Sequence, residues 1–83
     1  MGKLYVPVLL YVDKDGKVVP KQIKAGYDDE WLRVVKVTDT RRRAHLNAGS
    51  VGIRYDCIIN IDATQRNIYL FEENGKWWIY DGE

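Results

Sequence analysis

Six of the thirteen cationic side chains, Arg33, Lys36, Arg41, Arg42, Arg43 and Arg54, fall within 22 positions that hold a single carboxylate, Asp39. Guanidinium groups bind phosphate through paired hydrogen bonds and Coulomb attraction, so the chemistry this concentration suits first is recognition of a polyanion, nucleic acid foremost. Beside it stands Gly49-Ser50-Val51-Gly52, a spacing that lets backbone donors approach a nucleic-acid backbone. The candidate anion-binding set is therefore an arginine-rich loop, Arg41, Arg42 and Arg43, with Arg54, Lys36, Gly49 and Gly52. Plainer readings compete with it. The arginines can form a solvated loop paired with Asp28, Asp29 and Glu30, and the two glycines can serve a turn that needs positive φ. The fold that uses a G-x-x-G clamp holds it between two helices, whereas here a strand pattern follows directly. A P-loop and a dinucleotide fingerprint are both excluded, because the Lys-Ser/Thr pair and the third glycine are missing.

Other chemistries find few residues. One cysteine, Cys57, and one histidine, His45, supply neither a four-ligand zinc site nor an internal disulfide. Cys57 sits among isoleucines, where loss of water raises a thiol's pKa and stops it acting as a nucleophile. Asp13-Lys14-Asp15-Gly16 has the acidic spacing of a calcium loop, but its glycine comes too early and no glutamate closes a twelve-residue loop. The sequence therefore predicts no enzyme, no metal and no cofactor. An unpaired thiol suits a reducing compartment, which predicts a cytoplasmic protein. Leu4 to Val12 is broken by Pro7 and ends at Asp13-Lys14, too short to span a bilayer and without a cleavage site, so no membrane partner is expected.

The elements that position these residues follow from periodicity. At 83 residues, 46% apolar and a formal charge of +1, the chain predicts one small domain, residues 1–83, and no global field to attract a polyanion. Leu4, Val6, Val8, Leu10 and Val12 alternate through a first strand. The Asp13–Gly16 turn leads to a second strand from Lys17 to Lys24, and Pro7 and Pro20 mark exposed sides or bulges at a sheet edge. Trp31 to Thr38 predicts a third strand, in which adjacent Val34 and Val35 suggest a bulge or burial on both faces. Residues 40–48 fit either a short helix ended by Gly49 or an extended excursion. Ile53 to Ile61 alternates most cleanly and predicts a central strand. Asp62 to Asn67 reads as a polar loop, Ile68 to Glu72 as a strand, Asn74-Gly75 as a hairpin turn, and Lys76 to Asp81 as the last strand. The expectation is all-β: a five- or six-stranded antiparallel meander, curled into an open barrel or strongly twisted sheet. Val6, Val8, Leu10, Val34, Ile53, Tyr55, Cys57, Ile59 and Leu70 are its predicted core.

Tyr5, Tyr11, Tyr55, Tyr69, Phe71, Trp77, Trp78 and Tyr80 all fall on predicted strands, and Trp77 and Trp78 must face opposite sides. Exposed aromatics on a basic sheet suit base stacking, although most aromatics in so small a core are packing. A second class of function follows from the Pro-marked hairpin edge with Tyr5, Leu9 and Tyr11: a module that binds another protein along that edge or face.

Ala48-Gly49-Ser50-Val51-Gly52-Ile53-Arg54-Tyr55 after Arg42-Arg43-Ala44, followed by Tyr69-Leu70-Phe71-Glu72 and Gly75-Lys76-Trp77, resembles a group of small uncharacterised bacterial proteins with strands at these places. The likeness covers about half the chain, and that group brings no catalytic residues. The tryptophan and valine spacing is also similar to a bacterial domain of unknown function attached in certain cases to error-prone DNA polymerases, which implies proximity to nucleic acid.

Overall fold

The computed structural model describes residues 2–25, 30–44 and 51–80. Within them the chain forms strands β1 (Lys3–Tyr5), β2 (Val8–Val12), β3 (Val18–Ala25), β4 (Glu30–Ala44), β5 (Val51–Ile61), β6 (Thr64–Glu73) and β7 (Lys76–Tyr80), with no helix. They make one antiparallel half-barrel sheet in the order β1-β7-β6-β5-β4-β3-β2. From β2 to β7 the path is a meander, while β1 pairs back onto β7.

The two ends of that order are consecutive in the chain, separated only by Val6 and Pro7. Pro7 has no N–H to continue a ladder. Its carbonyl accepts from the Lys24 N–H of β3, while the Val6 N–H donates to the Trp77 carbonyl of β7, both at 3.0 Å. The predicted first strand is thereby divided between two neighbours, and the sheet has seven strands rather than five or six.

The second bend lies in β4. This strand pairs with β3 through Arg33 and with β5 from Val34 onward, and the changeover coincides with register shifts at Val34/Lys36 and Val37/Asp39. The extra residues, Val35 and Thr38, are bulges that tighten the twist; the first is one of the two readings that the adjacent valines allow, and the second is not expected from the sequence. Thr40 to Ala44 continues as strand, not helix. A helix there has nothing to bury, whereas β5 offers the segment a complete ladder from Val51 to Tyr55. Residues 45–48 lie outside the described residues, as do residues 26–29.

Only Asp62 and Ala63 turn between β5 and β6, and Thr64 to Asn67, expected as loop, pair with Ile58 to Ile61. Asn74 and Gly75 make the predicted hairpin, with φ of 54° and 81°.

Ile23 and Leu70 are fully buried and pack with Val6, Val34, Tyr55, Cys57 and Ile59, while Val8 and Ile53 are partly buried against that cluster. Full burial of a Leu or Ile side chain stabilises by about 1.5–3 kcal/mol, so these contacts hold the curled sheet together. Leu10, predicted as core, is 43% exposed. β2 is the last strand of the order, and no described strand lies over its far end. Ile23, Phe71 and Trp78 are buried although absent from the predicted core. No helix of the described residues is long and apolar enough to cross a membrane.

Candidate nucleic-acid interface

Alternation along each strand sends Leu70 and Trp77 into the core cluster and Phe71 and Trp78 to the opposite face. The registers then align a row of direct cross-strand neighbours on that outer face. Tyr5 of β1 pairs with Trp78 of β7, Trp78 with Phe71 of β6, Phe71 with Arg54 of β5, and Arg54 with Arg41 of β4. Beside it, Lys3 pairs with Tyr80, and Tyr69 with Asp56, which pairs in turn with Asp39.

The row is packed ring on ring. Phe71 stacks on Trp78 with centroids 5.7 Å apart, Tyr5 meets Trp78 edge-on at 5.8 Å, and Tyr80 meets Phe71 edge-on at 5.2 Å. Phe71 and Trp78 are buried by this arrangement, whereas Tyr5 and Tyr69 remain more than half exposed. Cations lie over two rings: the Lys3 ammonium 4.2 Å from the Trp78 centroid, and the Arg54 guanidinium 4.6 Å from that of Tyr69. Such contacts hold a cation on the face of a π system. The buried Trp78 Nε1 has no hydrogen-bond partner among the described residues.

Arg41 and Arg54 stand directly opposite each other, as do Asp39 and Asp56. Like charges in that position repel, and each arginine resolves the conflict along its own strand. Arg41 Nε donates to Asp39 Oδ2 and Arg54 Nε to Asp56 Oδ1, both at 2.8 Å, with a second Arg54 bond of 3.4 Å to Asp56 Oδ2. The hydrogen bond from Arg41, with another from the Thr40 N–H, holds the Asp39 carboxyl below its usual pKa. Among the described residues, the counter-charges of Arg41 and Arg54 are therefore Asp39 and Asp56 of the same two strands, while Asp28 and Asp29 lie outside the described residues.

The structure redistributes the predicted set. Arg41 and Arg54 come together on the outer face, and Lys36, paired with Ile58, lies farther along it. Arg42 pairs with Ile53, whose side chain packs against the core, so it belongs to the opposite face. Arg43 pairs with Gly52, and only its backbone is described. Gly52 is a buried residue of β5 rather than part of a loop, because the β4–β5 ladder runs through it. Gly49 and His45 lie outside the described residues. The arginine run is thus strand to Ala44, and its alternation splits it between two faces. Sequence reasoning did not single out Lys3 as a site residue; its signal is the short ladder Lys3–Tyr5, visible only once β1 is known to pair with β7.

Elsewhere, the Cys57 thiol is buried, and burial, with the Asp56 charge adding to it, raises its pKa to about 12. It is a core side chain. No cluster of three metal-ligating side chains occurs among the described residues.

Comparison with known proteins returns no match to a family model, a curated protein or a solved structure. The functional reading therefore rests on the geometry of this face.

Proposed function

We propose that the chain is a non-enzymatic β module that binds single-stranded nucleic acid across the outer face of β1, β7, β6, β5 and β4. The observation that carries this reading is the continuous row Tyr5–Trp78–Phe71–Arg54–Arg41, with Lys3 and Tyr69 beside it. Sequence-tolerant binding of single strands combines aromatic platforms for bases with cations that follow the phosphates. Here Tyr5 and Tyr69 are the accessible rings, with Phe71 and Trp78 as a rigid layer behind them. The cations of the face, Lys3, Lys36, Arg41, Arg54 and Lys76, outnumber its carboxylates, Asp39, Asp56 and Glu73, although the whole chain is nearly neutral.

The test is fluorescence anisotropy with a labelled single-stranded oligonucleotide at low salt. A base stacked on an aromatic ring contributes about 1–3 kcal/mol, so Tyr69→Ala and Tyr5→Ala each weaken binding about 5- to 150-fold. Arg42→Ala, on the opposite face, leaves the affinity within about threefold of wild type. Equal affinity of Tyr69→Ala and wild type, or a larger loss from Arg42→Ala, overturns the reading.

A further inference from the structure

β2 carries Val8, Leu9, Leu10, Tyr11 and Val12 without a charged side chain, and it is the terminal strand of the sheet. Leu9, Leu10, Tyr11 and Val12 are 48, 43, 53 and 57% exposed. A long apolar edge of this kind is what monomeric proteins avoid, since it is a template for another strand.

Backbone geometry shows which groups are on offer. Pro7 accepts from Lys24 and Asp13 donates to Lys17, both across to the β3 side. With the two-residue period of a strand, the odd residues of β2 bond to β3, and the N–H and C=O groups of Val8, Leu10 and Val12 point to the open edge. The same three residues continue the inward pattern of Leu4 and Val6, yet β7 reaches only as far as Val6. Past that point a groove of about 750 Å3 opens between β2 and the start of β7, lined by Pro7, Val8, Leu10, Lys76 and Trp77 among others.

We infer that this edge is the interface of a homodimer, in which β2 of two copies of the chain pair antiparallel about a two-fold axis at Leu10. That register sets Leu10 opposite Leu10 and Val8 opposite Val12, so every outward-pointing backbone group of the three residues finds a partner. The central side chains cover the two grooves. It also sets Asp13 of one copy, whose carboxylate accepts from the Asp15 and Lys17 N–H groups of its own turn, opposite Pro7 of the other. The exposed parts of the four residues and the groove walls amount to on the order of 500 Å2 per copy. The pair then buries at most on the order of 1,000 Å2, which reaches the lower limit for a specific interface and falls short of the roughly 1,200–2,000 Å2 of a standard one. The pairing strand β2 lies outside the proposed oligonucleotide face, although Tyr5 and Lys76 of that face also line the groove; the dimer is argued from the β2 edge and does not depend on that reading.

The test is sedimentation equilibrium from micromolar to near-millimolar concentration, with amide hydrogen exchange on the same samples. Wild type forms a dimer, and the Val8, Leu10 and Val12 amides gain protection as concentration rises. Leu10→Lys sets two ammonium groups against each other at the axis and raises the dimer dissociation constant at least about 100-fold. Val12→Lys, at a more exposed position, does the same if Leu10→Lys loses its native circular dichroism. A wild-type monomer throughout overturns the proposal, as does a dimer indifferent to both substitutions. Protection of the three amides in dilute monomer also overturns it, since the edge is then covered from within one chain.

Discussion

Replacing Ala63 by glycine stabilises the protein. Asp62 and Ala63 form the two-residue turn between β5 and β6 with φ of 48° and 64°. Such hairpin turns match the twist of their strands, at the expense of two left-handed residues in succession. An alanine held there is disfavoured by about 1–2 kcal/mol, because its Cβ crowds the backbone. Glycine removes that crowding but adds freedom to the unfolded chain, which offsets about 0.4–1 kcal/mol. The difference leaves Ala63→Gly more stable by about 0.5–1 kcal/mol, or roughly 2–8 °C in Tm for a chain of this size. Gly75, with φ of 81° in the equivalent turn between β6 and β7, supplies the reverse experiment. A Cβ built there meets nothing within 4 Å, so Gly75→Ala loses a similar amount through backbone conformation alone. Urea unfolding followed by tryptophan fluorescence measures both, with unchanged m-values. A less stable Ala63→Gly refutes the reasoning, as does a Gly75→Ala variant equal to wild type.

Ile23, fully buried on β3 within the cluster that includes Leu70 of β6, loses about 2–5 kcal/mol on substitution by alanine. Total stability for 83 residues is about 4–12 kcal/mol, so this variant has a sharply lowered urea midpoint or is unfolded. Native-like stability there contradicts the core assignment. The Cys57 thiol reacts with a small reagent only at the rate of protein opening, which a thiol-release assay follows across urea concentrations. Its folded pKa of about 12, raised from 9.0 by burial, means that above pH 9 the unfolded chain loses this proton while the folded chain keeps it. The resulting contribution is intact below pH 9 and declines toward pH 12 by at most about 1.4 kcal/mol per pH unit. Cys57→Ala removes that part of the slope, and identical pH profiles for the two proteins contradict it.

Much of this architecture is legible in the sequence where a local rule acts alone. The Asn74-Gly75 turn fixes the pairing of Phe71 with Trp78 and of Glu72 with Trp77, and the alternation of β5 sends Tyr55, Cys57 and Ile59 inward. The adjacent valines at 34 and 35 fit either a bulge or burial on both faces, and the bulge is where β4 changes partner. The misreadings arise where distant pairing overrides local pattern. Thr64 to Asn67 is polar enough for a loop, yet the ladder to β5 claims it, and Thr40 to Ala44 has caps for a helix but a strand beside it. Leu10 obeys the core period but is exposed because β7 reaches only as far as Val6, a limit that no local pattern shows. For the site, spacing placed the arginines close together in sequence without showing that Arg42 faces away. The aromatic row needed the β1–β7 pairing, which joins residues more than seventy positions apart.

Backbone amide shifts during titration with a short single-stranded oligonucleotide test the central claim most directly. The account predicts that the residues that move are those of the outer face, Lys3, Tyr5, Arg41, Arg54, Tyr69 and Tyr80, with Arg42 and the Ile23 core unmoved. Three to five phosphate contacts give a log-log salt slope of about −2 to −3.5. Shifts confined to β2 and β3, or no shifts at low salt, contradict it.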